Sequence, residues 1–422
     1  MTQFESAIPP QRPEVSQLGE IYTLKWRDKE IQMRVERFDT DTRKNVTAEI
    51  TVEVLDTPVG EGHIARGRQG LLSTFRTLIQ DCVDFGGELI SNEDWRIMFK
   101  QLSNAVLDKY RMGEPAINLS QMGEVGKKPF ILEPFIYEGN PTVIYGRGGV
   151  GKSLFCLYLA VLLQTGTSHN RLSGKKMNVL YLDYEADPDE SKYRSNMIAH
   201  GLEIDPDSIE IHYRHCSVPF REEADVIQRI VMELEIGCVV IDSAVPAVGD
   251  AISGEAVSQF FNSVRSLSTS ERQVASLIIG HTTKAQEDKN SSGPYGAAHW
   301  RNGPRTVWHF KADQKRGADT IDVQLIHDKV NLDKLLAPIG FQIEWRQGAI
   351  HFLDLDARRH SVFGRQQHLG DRIEVALEDN SHLAEDALAT LLDARTEDIR
   401  TELDRDTRFI QNTLGEWELM SI

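Results

Sequence analysis

Residues 142–163 read TVIYGRGGVGKSLFCLYLAVLL, and this run constrains the fold more than any other part of the chain. A short apolar strand enters a glycine-rich turn that fits G-x-x-x-x-G-K-S from Gly146 to Ser153, and a long apolar helix follows at once. Glycines let the backbone curl until several N–H groups face one point at a helix N-terminus, an arrangement that favours an anion. Strand, turn and helix in this order belong to a βαβ unit, so a largely parallel sheet has to form around them. The candidate phosphate-binding residues are Gly146, Arg147, Gly148, Gly149, Val150, Gly151, Lys152, Ser153 and Leu154. In such a turn Lys152 bridges β- and γ-phosphates, and the Ser153 hydroxyl is a ligand for Mg2+.

Strand-like and helix-like runs alternate across about 128–357, which predicts an α/β domain with a mostly parallel central sheet. The expected strands are PTVIYG, NVLYLDY, CVVIDS, VASLIIG and PRTVWHF; IDVQLIHDKV, FQIEW and AIHFLDL suggest a terminal antiparallel extension. CVVIDS brings Asp242 to the sheet's carboxyl edge, where its carboxylate can hold the water shell of Mg2+. The next residue, Ser243, cannot act as a general base, so a base must come from elsewhere. NVLYLDYEADPDE offers Asp183 and Glu185 on one side of a strand end. Glu185, further out, is better placed to reach a water in line with the γ-phosphate. A solvated acidic loop, continued by Asp187, Asp189 and Glu190, is the competing reading.

With 422 residues the chain has room for two or three domains. A net charge of −17 argues against a broad DNA-coating surface and leaves a locally basic channel open. Cys82, Cys156, Cys216 and Cys238 are scattered without CxxC spacing, which fits reduced thiols in a cytoplasm. HYRHC, residues 212–216, reads as strand and loop in preference to a metal cluster. No apolar run approaches the ~20 residues that span a bilayer, and the N-terminus lacks the pattern of a secretory signal. A cytoplasmic chain without membrane partners is expected.

Residues 1–18 have the composition of a flexible tail. A small α+β module is expected over 19–113, with IYTLKW, IQMRVERF and NVTAEITVEVL as an antiparallel sheet. One helix is predicted around Gly67–Phe85 and a second from Asn92 to about Arg111 behind a Ser91 cap; 114–127 reads as a linker. Lys25, Arg27, Lys29, Arg34, Arg37, Arg66 and Arg68 could form a nucleic-acid face, although solvated strands explain them more simply. Residues 366–422 read as three helices and a hairpin, a winged-helix-like order. The third helix, TEDIRTELDRD, is acidic and would be repelled by phosphates. Docking to a protein partner or packing within a ring suits it better, with a helical cap on the core as the alternative.

The stretch SSGPYGAAHWRNGPRTVWHF, residues 291–310, has four aromatic rings and the look of a buried segment, yet it carries Arg301 and Arg305. A buried guanidinium needs an anionic partner.

Together YGRGGVGKS, YLDYEAD, VVIDS, IIGHTTK and GPYGAAHWRNGPRTVWHF resemble the RepA-like branch of the RecA-type ATPases, over about 128–345. That branch includes hexameric replicative helicases of plasmids and relatives carried by phages and mobile elements. The resemblance implies a RecA-like P-loop NTPase core, ATP and Mg2+ as ligands, and a homo-oligomeric ring, six-membered in those helicases. It implies that Lys152 and Ser153 bind phosphates and metal, that Glu185 activates water, and that Asp242 is the second acidic motif. His281 matches a polar sensor of the γ-phosphate, with a capped strand end as the alternative. Arg305 matches an arginine finger given to the neighbouring subunit, with an ion pair inside the chain as the alternative. Lys329 falls where related motors place a second trans-acting cation. The loops facing the ring's hole would contact single-stranded nucleic acid through Thr282, Lys284 and Lys289. Against them stand Asp250, Glu255, Glu287 and Asp288, so an ATP-gated scaffold or recombination mediator is the rival to a motor.

Overall fold

The computed structural model describes residues 9–18, 21–40, 45–54, 62–86, 90–112, 116, 118–269, 272–282 and 299–420. The chain divides into two compact units. One comprises Met1–Lys127 with Arg221–Glu235 and Ser263–Gln273, and the other the remainder. The last two segments were expected inside the 128–357 domain and group instead with the N-terminal unit.

In the first unit β1 (Glu14–Leu18), β2 (Ile21–Trp26), β3 (Ile31–Thr40), β4 (Val46–Val54) and β5 (Gly62–Gly70) form an antiparallel meander in sequence order. Strict alternation puts Leu24, Trp26, Met33, Val35, Ile50 and Val52 on one buried face. Helices α1 (Arg76–Gly86) and α2 (Asn92–Met112) cover it with Leu78, Trp95, Phe99 and Leu102. The Ser91 Oγ accepts from the Asp94 N–H at 3.1 Å, capping α2 as expected.

Two expectations fail in this unit. Residues 14–18, given to the tail, pair with β2. Gly67 to Gly70, given to a helix, finish β5, where Ala65 pairs with Val52 and Gly67 with Ile50. The helix waits for the turn at 71–75, in which the Phe75 N–H donates to Ser73 Oγ. The basic residues are largely matched by carboxylates: Arg27 with Glu14 (2.8 Å), Lys29 with Asp94 (3.1 Å), Arg34 with Glu53 (3.4 Å) and Arg37 with Glu49 (3.2 Å). That pairing favours the solvated-strand reading of this run.

The second unit is built, among the described residues, on a nine-stranded sheet. After β6 (Phe130–Glu133) and β7 (Ile136–Tyr137) come β8 (Pro141–Gly146), α3 (Lys152–Thr165), β9 (Ser173–Gly174), β10 (Asn178–Asp183), α4 (Pro188–Gly201) and β11 (His212–His215). Then follow β12 (Ile236–Asp242), β13 (Ala275–His281), β14 (Thr306–Asp313), β15 (Thr320–Val330), β16 (Ile339–Arg346) and β17 (Ala349–Leu355). The sheet order is β11-β10-β12-β13-β8-β14-β15-β16-β17. Neighbours are parallel from β11 to β14, and the last three strands add the antiparallel extension. The chain leaves β8 towards β10 on one side and later places β14 on the other. The carboxyl end of β8 is therefore a switch point, where α/β sheets open a crevice. Helix α3 is apolar all round and almost wholly buried, as its sequence requires.

Residues 369–420 form helices Leu369–Asn380, Glu385–Leu392 and Thr396–Arg405 with a three-stranded sheet, β18 (His382–Leu383), β19 (Phe409–Gln411) and β20 (Trp417–Leu419), in the order β18-β20-β19. Ile373, Leu388, Ile399, Leu403 and Trp417 make its core. The expected three helices and hairpin are present, with β18 added between the first two helices. Among the described residues no helix is long and apolar enough to cross a membrane.

Candidate active site

Parallel strands end on a common edge, and four of them deliver side chains there. The first is β8, whose glycine turn begins at Gly146. A Cβ on Gly146 would collide with the Phe310 carbonyl oxygen on β14, so only glycine lets the two backbones approach this closely. Gly151 adopts φ +94° and opens α3, a conformation that a side chain would strain. Lys152 follows, buried, with Nζ donating to the Arg147 carbonyl at 2.6 Å. The turn thus holds its own cation in place.

Strand β12 brings Asp242, which is 5% exposed. The Tyr181 hydroxyl on β10 donates to Asp242 Oδ2 at 2.8 Å. Burial pushes the Asp242 carboxyl above its usual range, opposed by the hydrogen bonds from Tyr181 and Ser153. The Ser153 hydroxyl and the Asp242 carboxylate therefore lie side by side. Both are hard oxygen donors, and the pair fits a Mg2+ ion.

Strand β10 ends at Asp183, beside Asp242 in register. Asp183 accepts the backbone N–H groups of Glu185 and Ala186, each at 2.9 Å, and so builds the turn that presents Glu185. Glu185 is the more exposed of the two. His281, the last residue of β13, places Nε2 3.5 Å from Glu185 Oε1 and Nδ1 3.4 Å from Lys152 Nζ. The Ser243 hydroxyl donates to the same Glu185 carboxylate. The hydrogen bonds from His281 and Ser243, with the charge of Lys152, lower its pKa to about 2 against the opposing effect of burial. Lys152, Ser153, Glu185, Asp242 and His281 thus converge on one cleft of about 690 Å³.

Arg305 does not join them. It precedes β14 and is exposed, and its N–H donates to Pro141, the first residue of β8, at 3.0 Å. The length of β8, roughly 17 Å at 3.3 Å per residue, separates it from the phosphate turn of its own chain. Arg301 is exposed as well, with Nη2 3.4 Å from the Asp328 carbonyl oxygen. Neither guanidinium is buried, so the segment's aromatic character, carried by Trp300 and Trp308 in the core, misled the expectation. Lys329 lies beside them and donates to the carbonyls of Arg301 (2.7 Å) and Pro304 (2.8 Å). Its ammonium thus holds the backbone around the short helix His299–Asn302. Thr282 follows β13 and donates its N–H to the Gly146 carbonyl at 3.1 Å; Lys284 and Lys289 lie outside the described residues.

Sequence reasoning missed Tyr181 and the positive role of Ser243. Ser243 was excluded as a base, and its hydroxyl donates to the Glu185 carboxylate. Only the pairing of β10 with β12 reveals this.

Residues 126–287 match the model of a family described as AAA domain. No curated protein matches the chain. With the glycine turn and the acidic edge already in place, the match suggests an ATPase of the P-loop type.

Proposed function

We propose that the chain hydrolyses ATP with Mg2+ as a subunit of a homo-oligomeric ring, hexameric by the resemblance, and moves on single-stranded nucleic acid as a RepA-like helicase of a phage, plasmid or other mobile element. The observation that carries this reading is the separation of the site into two parts. Lys152, Ser153, Glu185, Asp242 and His281 meet at one sheet edge, and Arg305 stands exposed at the other. In an assembly with a head-to-tail interface, the second edge of one copy meets the first edge of the next.

The chemistry follows from that division. The turn and Lys152 hold the triphosphate. Glu185, ionised, accepts a hydrogen bond from a water in line with the γ-phosphorus and takes its proton as the new P–O bond forms and the bond to the β-phosphate oxygen breaks. Ser153 and Asp242 would hold Mg2+, which would supply positive charge against the phosphates. A pKa near 2 makes Glu185 a weak base. Its main contribution is then to orient the water, which suits a loose, metaphosphate-like transition state. The guanidinium of Arg305, from the neighbour, stabilises the charge spreading over the γ-oxygens. Loss of the γ-phosphate alters what faces His281, which contacts both Lys152 and Glu185, and so can pass to the adjoining segment after Thr282.

The reading is tested by phosphate release with and without single-stranded DNA, together with strand separation on a forked duplex. Stimulation by DNA and separation of the fork are expected. Hydrolysis indifferent to DNA, with oligomeric size changing on nucleotide binding, would instead favour the ATP-gated mediator. That second reading is supported by the acidic helix Thr396–Arg405, through which a protein partner could dock.

A further inference from the structure

We infer that the cleft beside the phosphate turn is a nucleobase pocket with Trp345 as its stacking platform; this rests on the proposed ATP-binding reading and supplies the other half of the same site. The cavity is continuous. Its lining combines the turn itself with the apolar side chains of Leu154, Leu157, Met197, Ile321, Trp345 and Ile350. A ligand of phosphates alone has no use for such a wall, whereas a planar base joined to phosphates needs one polar and one apolar compartment.

The antiparallel extension explains how the wall comes to lie there. Ile321 pairs with Ile343, and Trp345 pairs with Ile350. Residues 343 and 345 alternate onto one face of β16. The Cδ1 atoms of Ile343 and Ile321 lie 3.6 and 3.8 Å from the position a Cβ would take on Gly151. The face that carries Trp345 is therefore the face that abuts the phosphate turn. Ile343 and Ile350 in this row are 0% and 2% exposed, while Trp345 is only partly buried and lines the cleft. Large aromatic surface left open inside a polar-apolar cleft is the feature a base would cover. Helix α4 contributes Met197 and packs closely on β17, where a Cβ on Gly201 would collide with the Ile350 carbonyl oxygen.

The test compares ATP with inorganic tripolyphosphate by titration calorimetry on the full chain in the presence of Mg2+. Trp345→Ala is expected to weaken ATP binding about tenfold or more, the scale of losing one base–aromatic stack, and to leave tripolyphosphate binding within about twofold. Trp345→Phe keeps a ring and is expected to stay within about threefold of the parent for ATP. Should Trp345→Ala fail to fold, Trp345→Leu replaces it, since it preserves apolar bulk without a π face. ATP affinity that is the same in the Leu and Phe variants would overturn the pocket. A parallel fall for ATP and tripolyphosphate would do so too. A parent protein that binds neither ligand would sink the ATP site itself, an outcome distinct from failure of the base pocket.

Discussion

His281 Nε2 stands 3.5 Å from Glu185 Oε1, joining the end of β13 to the loop after β10 across the mouth of the phosphate turn. His281 also approaches Lys152, so a single ring links the lysine of the phosphate turn to the Glu185 carboxylate. Glu185→Gln keeps the shape and removes the charge. Turnover should fall on the order of 10²–10⁴-fold with ATP still bound, as measured by phosphate release beside calorimetric titration. Turnover close to that of the parent would remove Glu185 from the reaction.

The same carboxylate makes stability depend on pH with a definite sign. Its folded pKa of about 2 lies below the ordinary 4.5, so its contribution is present above about pH 4.5 and is lost as pH falls towards 2. Thermal melts of the parent and Glu185→Gln should differ most above pH 5 and converge between pH 4 and 2.5. A gap that stays constant over that range would contradict the assignment.

Asp242 behaves in the opposite way. Burial raises its pKa, so the ionised form costs stability at neutral pH, and the cost fades as pH falls and the carboxyl takes up its proton. Asp242→Asn should raise the melting temperature at pH 7 by about 1–4 °C, with the gain shrinking in acid. Its turnover should fall by about tenfold or more. A variant both destabilised at pH 7 and fully active would be inconsistent with a buried metal-facing carboxylate.

Two glycines of one turn should respond differently to alanine. Gly146→Ala drives a Cβ into the Phe310 carbonyl oxygen on β14 and is expected to cost about 2–3 kcal/mol in urea unfolding. Gly148 has nothing within 4 Å of its Cβ position, so Gly148→Ala should change stability by less than about 0.5 kcal/mol. Equal costs at both positions would mean that the contact between β8 and β14 is not the constraint.

The phosphate turn was legible in the sequence because its chemistry is local: glycine, lysine and serine sit at fixed offsets between a strand and a helix. Asp242 was legible because an apolar strand that ends in a carboxylate delivers it to the sheet's carboxyl edge. The Ser243–Glu185 hydrogen bond was not, since it depends on which strand lies beside which, and β10 and β12 are far apart in the chain. Glycines at 67 and 70 disguised β5, whose pairing with β4 overrides local propensity. Trp345 and Ile321 were placed only in the antiparallel extension, because apolar alternation looks the same whether a strand faces protein or a ligand cleft. Arg301 and Arg305 were judged by aromatic neighbours in sequence, whereas a short helix and the entry to β14 place them at the surface.

Mixing two inactive variants addresses the two-part site most directly. Lys152→Ala destroys the phosphate grip and keeps the guanidinium; Arg305→Ala keeps the grip and should lower turnover on the order of 10³-fold. Each variant alone should release almost no phosphate. An equal mixture should recover activity, because random assembly across a head-to-tail interface pairs an intact grip with an intact guanidinium at about one interface in four. No recovery on mixing, or full turnover by Arg305→Ala alone, would contradict a reaction centre completed by a neighbouring copy.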